Sequence, residues 1–311
     1  MKRLKLEARE VGRGLKFPEG PIAMPDGSVI CVEIMGNLVR VTPEGERQVI
    51  AELGGGPNGA AIGPDGKAYV CNNGGFNWHV AEDGYMRPTG RADAYDGGRI
   101  ERVDLSTGQV EALYTHCGDV PLAGPNDIVF DGLGGFWFTD HGKSYGRLMD
   151  RGALFYAKAD GSFIKEVAFP LFTPNGVGLS PDGKTLYVSE TDTGRVWSYP
   201  VLGPGELAKE PWPSPNGGKF LGNLAGYHRF DSMAIEANGN ICVATLVSGG
   251  ITVFSPEGEA LEYWEASEGY VTNICFGGPD LKTAYITLSG YGTLVAVDWP
   301  RPGLPLHHLN K

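Results

Sequence analysis

No apolar run in this 311-residue chain is long enough to span a bilayer. Its opening residues, Met1-Lys2-Arg3-Leu4-Lys5, lead into alternating polar positions rather than an apolar signal-type stretch. Basic charge is also scarce: 26 Lys and Arg stand against 37 Asp and Glu, a formal net charge of −11, which argues against nucleic-acid and acidic-membrane partners. Only five cysteines occur, at 31, 71, 117, 242 and 275, an odd and scattered set that reads as reduced, buried thiols rather than a disulfide framework. Neither CxxC nor HExxH occurs. These absences point to a soluble cytoplasmic protein; nothing in them fixes an oligomeric state.

What the chain has in abundance is glycine, 48 residues, set between short runs of strand-forming residues. Six times an acidic or amide side chain is followed seven residues later by a turn: Glu19 with Asp26, Asn58 with Asp65, Asn126 with Leu133, Asn175 with Asp182, Asp231 with Asn238 and Asn273 with Asp280. In five cases the next residue is glycine, and in the sixth it is Leu281. An apolar run precedes each turn and a second, rich in β-branched and aromatic residues, follows it, which is the pattern of a hairpin. Third strands follow, as at 38–41 and 196–199, and weaker fourth strands at 48–51, 110–114, 164–168 and 260–264. Four antiparallel strands repeated every ~40 to 50 residues predict an all-β, six-bladed β-propeller, because each small sheet buries its faces only against its neighbours. The whole chain, 1–311, reads as one such domain, since no linker-like stretch interrupts the register.

Propeller geometry turns this register into a cluster. If every blade starts at the same end of the ring, Glu19, Asn58, Asn126, Asn175, Asp231 and Asn273 all point toward one axis. Asn and Asp favour turns and strand entries for local reasons as well, but Glu19 has no such preference. Two carboxylates converging on an axis repel unless something neutralises them, and a divalent cation is the economical answer. Carboxylate and amide oxygens suit calcium above all, with Mg2+, Mn2+, Zn2+ or Fe2+ as alternatives; zinc would usually recruit imidazole or thiolate, and none of the six histidines falls in the register.

The strings FPEGP (17–21), GPNDIVFD (124–131), TPNGVGLSPDGKTLYVSET (173–191), FDSMAIEANGN (230–240) and VTNICFGGPDLKTAYIT (271–287) resemble the SMP-30/gluconolactonase/LRE family, also called the regucalcin-like lactonases. The likeness runs in order over essentially the whole chain. It implies a six-bladed propeller with a catalytic divalent metal at its centre and lactone hydrolysis as the activity. Carried over by motif, it implies Glu19, Asn175 and Asp231 as direct metal ligands and Asn126 as a residue that approaches both metal and substrate. Ser232 stands where other members carry Ser or Gly. Two departures stand out. Animal-type members have an arginine two residues before the PND asparagine, where this chain has Gly124, so a bidentate donor for a sugar acid is missing. The Thr-Asp-Pro of many bacterial members is here Thr139-Asp140-His141, which brings an imidazole toward the mouth.

The expected mechanism has a cation polarising the ester carbonyl of a small lactone or ester and holding a water for attack. Asp231 is the first choice for the proton acceptor and His141 the second. The segment 76–97 interrupts the second blade, and a connection that long is usually functional. With Asn58, Asn126, Ser232 and Tyr145, its Trp78 and His79 are candidates for substrate contact. The connection 203–229, with Trp212 and Tyr227, is a second long one. Gly142-Lys143-Ser144-Tyr145-Gly146 matches GxSxG in letters, but a nucleophile elbow needs a strand, a sharp turn and then a helix, and this string lies between two strands. Cleavage of phosphotriesters or other esters at the same metal, and a non-enzymatic calcium-binding propeller, are the competing readings.

Overall fold

A computed structural model describes residues 1–311. It contains strands and no helix, so none is long and apolar enough to cross a membrane. Six small antiparallel sheets form a ring, a six-bladed β-propeller. From the axis outward, blade 1 is Pro18–Ala23, Val29–Glu33, Asn37–Val41 and Arg47–Glu52. Blade 2 is Pro57–Ile62, Ala68–Asn72, Arg99–Val103 and Val110–Tyr114, and blade 3 is Pro125–Phe130, Gly135–Asp140, Gly152–Lys158 and Ile164–Leu171. Blade 4 is Pro174–Leu179, Thr185–Glu190, Arg195–Gly203 and Lys219–Asn223; blade 5 is Arg229–Ile235, Ile241–Leu246, Gly250–Phe254 and Ala260–Glu265. Blade 6 takes Val271–Gly277, Thr283–Leu288 and Thr293–Asp298 from the end of the chain and Arg9–Gly12 from its start.

The hairpin turns follow the Asp-Gly register. Gly27, Gly66, Gly134, Gly183 and Gly239 all adopt positive φ, and Leu281 takes φ 56° in their place. A side chain in that region costs about 1 kcal/mol, which Leu281 offsets by packing on the cluster around Trp299. Blades bury their faces against each other: Trp137 and Leu154 of blade 3 meet Leu186 and Trp197 of blade 4, all almost fully enclosed. Each such side chain contributes about 1.5–3 kcal/mol.

Two segments close the ring. Arg9–Gly12 completes blade 6, and Lys2–Lys5 adds a parallel fifth strand to the edge of blade 5. Of the segments near 4–11 and 304–309, either of which the sequence allows as the closing strand, the first fills this latch. Residues 304–309 form no strand, because Pro302 and Pro305 remove ladder donors. They run instead as a strap under the end of the channel opposite Glu19. Leu304 N donates to Ile235 O at 2.8 Å, the His308 ring meets Phe130 at 5.5 Å, and Leu309 packs on the cluster around Ile22. The 203–229 connection also differs from its reading as a loop. Lys219–Asn223 is the fourth strand of blade 4, hidden in the sequence by its glycines and by exposed polar positions. Trp212 projects into solvent, 88 % exposed.

Candidate metal centre and active site

The six residues of the register open the six innermost strands, and all six are buried. Small residues beside them let neighbouring strands close on the axis. A Cβ on Gly20 would lie 2.6 Å from Asn58 O, one on Gly59 2.5 Å from Asn126 O, and one on Gly176 2.9 Å from Asp231 O. Hydroxyls at or just past the ends of second strands fix carbonyls of the neighbouring inner strands from behind: Ser189 Oγ donates to Asp231 O at 2.6 Å, Ser289 Oγ to Pro18 O at 2.6 Å, and Thr139 Oγ1 to Asn175 O. Each ligand-bearing strand is therefore set by its neighbour as well as by its own ladder. These hydroxyls were not singled out in the sequence, where they read only as polar residues within strands.

Polar side chains aim the axial groups. Glu19 Oε2 accepts from Gly20 N and from Asn273 Nδ2, both at 2.7 Å, which leaves Oε1 free of these two donors. Asp231 Oδ1 accepts from Ser232 N at 3.1 Å, leaving Oδ2. Asn175 donates through Nδ2 to Thr191 Oγ1 at 3.1 Å, which turns its Oδ1 away; Ser232 Oγ donates to that Oδ1 at 3.2 Å. Asn126 Oδ1 is fully enclosed with no hydrogen-bond partner. An orphaned buried acceptor carries a desolvation cost of about 1–3 kcal/mol unless something occupies it.

Charge is equally uncompensated. Burial pushes the Glu19 carboxyl above its usual range against the pull of Asn273, Gly20 and Thr272. Burial and then the charge of Glu19 push Asp231 well above its own. Asp127, next to Asn126, is pushed up to about 8 by burial and by Glu19, although the amides of Val177 and Ile128 oppose this. Nowhere in the molecule do three His, Cys, Asp or Glu side chains form a cluster fit for a metal. The donors available on the axis are two carboxylates plus amide oxygens. Unpaired oxygen, excess negative charge and the lack of imidazole or thiolate together fit a hard divalent cation. Glu19, Asn126, Asn175 and Asp231 are the residues that could hold it.

The rim supplies the other candidates. Residues 76–91 form a β-ribbon, Phe76–Val80 paired with Met86–Arg91, that rises from blade 2 on the same end as Glu19. Trp78 packs on Phe17 at 5.0 Å, and Phe17 meets Tyr270 at 5.6 Å; these last two stand just before the inner strands of blades 1 and 6. The ribbon tip rests on blade 6, where Met86 N donates to Gly290 O at 2.8 Å and Tyr85 meets Tyr291 at 4.8 Å. Its base is clasped by buried Lys143, whose Nζ donates to Asn73 Oδ1 at 2.8 Å and Gly75 O at 2.9 Å and sits 3.8 Å from the Phe76 ring centre. Trp78 thus faces the mouth, whereas His79, next along the strand, is exposed on the other face of the ribbon. Tyr145 donates to Asp150 at 3.0 Å and stacks under Arg91 at 4.2 Å. Ser144 is exposed in a small hairpin with no helix after it, so the GxSxG letters build no elbow.

His141 is partly buried, and burial holds its pKa down to about 4, with Lys143 and Arg229 acting in the same sense and Asp192 against them. It is a neutral base at pH 7. Asn58 is buried on the axis between Glu19 and Asn126. Gly124 has a plain reason to lack a side chain: a Cβ there would lie 2.6 Å from Gly142 O.

The sequence pattern of the SMP-30/gluconolactonase/LRE-like region matches residues 17–290. The chain belongs to that family. It is 27% identical over 308 residues to the gluconolactonase of Zymomonas mobilis, covering 90% of this chain and 78% of that one. It is 29% identical over 228 residues to the lactonase drp35 of Staphylococcus aureus, covering 72% of this chain and 61% of the relative, which is under two thirds of its length. Among solved structures, a gluconolactonase of Xanthomonas campestris superposes with TM-score 0.72 at 20% identity over 94% of this chain and 91% of that one. A calcium-binding regucalcin of Agrobacterium tumefaciens gives TM-score 0.74 at 18% identity over 98% and 100%. At these identities the structures establish the fold.

Proposed function

We propose that the protein is a hydrolase that opens lactone rings, and that it works with one divalent cation, calcium by preference, held by Glu19, Asn126, Asn175 and Asp231. The observation that carries this reading is the convergence of Glu19 and Asp231, from blades 1 and 5, with the orphaned Asn126 Oδ1. The lactonase names of the relatives and the calcium-binding regucalcin support it. When bound, the cation supplies Lewis acidity to the lactone carbonyl.

The chain's own groups do the rest. Asp231 Oδ2 accepts a proton from the attacking water as its oxygen bonds to the carbonyl carbon. The ring C–O bond then breaks, the proton passes from Asp231 to the departing alkoxide, and the resulting hydroxy acid releases the second water proton to solvent as it leaves as a hydroxy carboxylate. Neutral His141 is the second candidate for this proton, reached from the blade 3 side. Trp78, Phe17 and Tyr270 form an apolar wall that holds the ring and keeps bulk water from one side of the mouth, which suits a lactone with an aromatic or extended apolar part. Asn58, Asn126 and Ser232 offer polar contacts on the floor.

The test is pH-stat hydrolysis of a panel of lactones and of the phosphotriester paraoxon, with and without chelator, on wild type and Asp231→Ala. Lactone turnover that chelator abolishes and calcium restores, and that Asp231→Ala lacks, is the expected result. Chelator-insensitive turnover, or turnover confined to the phosphotriester, overturns the reading.

A further inference from the structure

Beside Tyr270 of the aromatic wall stands a cation that none of the roles above uses. Arg229 begins the inner strand of blade 5, two residues before Asp231, and strand alternation directs both toward the same side. Its Nη2 donates to Asp192 Oδ1 of blade 4. Asp192 follows Thr191, the residue that orients Asn175, so the guanidinium is bracketed by the neighbours of two candidate cation ligands. That is the only hydrogen bond the Arg229 guanidinium makes to a protein group, which leaves its Nε, its Nη1 and the second Nη2 hydrogen without a protein partner on a side chain 32% exposed. Behind the dominant effect of burial, its charge acts on His141, Asp231 and Tyr270 alike, lowering the pKa of each.

The position has a counterpart. Gly124 occupies the same place relative to Asn126 in blade 3, where the Gly142 carbonyl excludes any side chain. The ring has thus closed that place in blade 3 and filled it with a guanidinium in blade 5. The surroundings agree with an anionic visitor: Arg87, Arg91 and Arg151 form no ion pair, and Arg91 and Arg151 lie over Tyr145 and Phe172 at 4.2 and 5.4 Å.

We propose that Arg229 is the specificity-determining residue of the mouth, and that it selects lactones bearing a carboxylate beside the ring. The planar fork takes the two carboxylate oxygens along the edge that the second Nη2 hydrogen shares with its neighbouring donor, while Asp192 accepts the first Nη2 hydrogen and steadies the plane. The ring then lies against the wall of Phe17, Trp78 and Tyr270, with its carboxylate toward Arg229 and its carbonyl toward the axis. This inference rests on the lactonase reading.

The experiment compares γ-butyrolactone with the same ring carrying a carboxylate on the carbon next to the ring oxygen, using the full-length calcium-loaded protein. Wild type should show the lower KM for the carboxylated ring. Arg229→Met should raise that KM about tenfold, the scale of one charge-assisted pair, with kcat retained and the neutral lactone unaffected. Arg229→Lys should recover part of the preference. Asp192→Asn, which removes the charge that steadies the fork but keeps the guanidinium, should weaken the preference less than Arg229→Met does and leave the neutral lactone alone. A purely structural ion pair would instead make Asp192→Asn and Arg229→Met equivalent, with both lactones affected alike, and that result overturns the proposal, as does a wild type without discrimination. If neither lactone is opened, the lactonase reading fails separately. Calorimetric binding of glutarate then decides for Arg229: loss in Arg229→Met supports its role as a carboxylate site, and equal binding in both proteins ends it.

Discussion

The two ends of the central channel are built by the same six strands and could hardly differ more. At the mouth, inner strands open on Glu19, Asn58, Asn126, Asn175, Asp231 and Asn273, with an orphaned amide oxygen and two carboxylates whose pKa burial raises, Asp231 further through the charge of Glu19. Toward the other end the same strands turn apolar. Below Asp127 and Asn273 lies a cavity of ≈ 370 Å³ walled by residues such as Val177, Met233 and Ile274, with Leu304 and Leu306 of the strap beside it. The mouth is framed by a ribbon whose contacts are aromatic and cationic; the strap packs through leucines. On the inner strands the orphaned acceptor and the raised carboxylates sit at the mouth end, where a ligand can relieve them, while the rest of each strand keeps the ring together.

Breaking the mouth should abolish chemistry and spare the fold. Asp231→Ala is expected to lower kcat/KM for lactones by about 10³-fold or more, the scale of losing an electrostatic stabiliser, measured against wild type on one substrate. Next in size is the cation itself. Calcium at 100 times its Kd should stabilise the protein by about 2.7 kcal/mol, read by thermal denaturation, and Glu19→Gln should largely remove the gain.

The metal-free protein should also carry a pH signature. Asp127 is raised from 3.8 to about 8, and Glu19 and Asp231 are raised too, so between roughly pH 4 and 8 the native state binds more protons than the unfolded chain. Its stability therefore falls as pH rises through that window, and calcium should flatten the slope; a flat profile with chelator present would contradict the account. Trp78→Ala should raise KM by about tenfold, or ~1.4 kcal/mol, with kcat little changed. At the other end, Leu309→Ala should cost about 1 kcal/mol of stability and leave lactone kinetics alone, since the strap touches none of the axial groups.

How much of this contrast could be read in advance follows from what a register carries. The axial residues were legible because a seven-residue spacing to the turn fixes their height in the strand, and five glycines at positive φ mark that turn. Partners across blades were not. Asn273 reads as one more axial amide, yet its Nδ2 is spent on Glu19; Thr191 and Ser189 carry no signal beyond hydroxyls at strand ends. Arg229 stands just before the FDS string with no signal of its own and is distinguished only by Asp192 from another blade. His79 and Trp78 are adjacent letters on opposite faces of one ribbon, which period-2 alternation could have separated once the ribbon was recognised as strand. Strand 219–223 escaped because its residues are exposed and glycine-containing, so it shows little apolar pattern.

The latch formed by residues 2–12 has one further implication, for biosynthesis. The earliest segment of the chain finds its partners only among the last strands, at Glu262–Glu265 and Leu294–Ala296. A ribosome must therefore deliver almost all of the polypeptide before the circle can shut, and long-range pairing of this kind is slow. Glu19 and Asn273 meet across the same seam, so a nascent chain acquires its catalytic competence late, as nearly its final folding event.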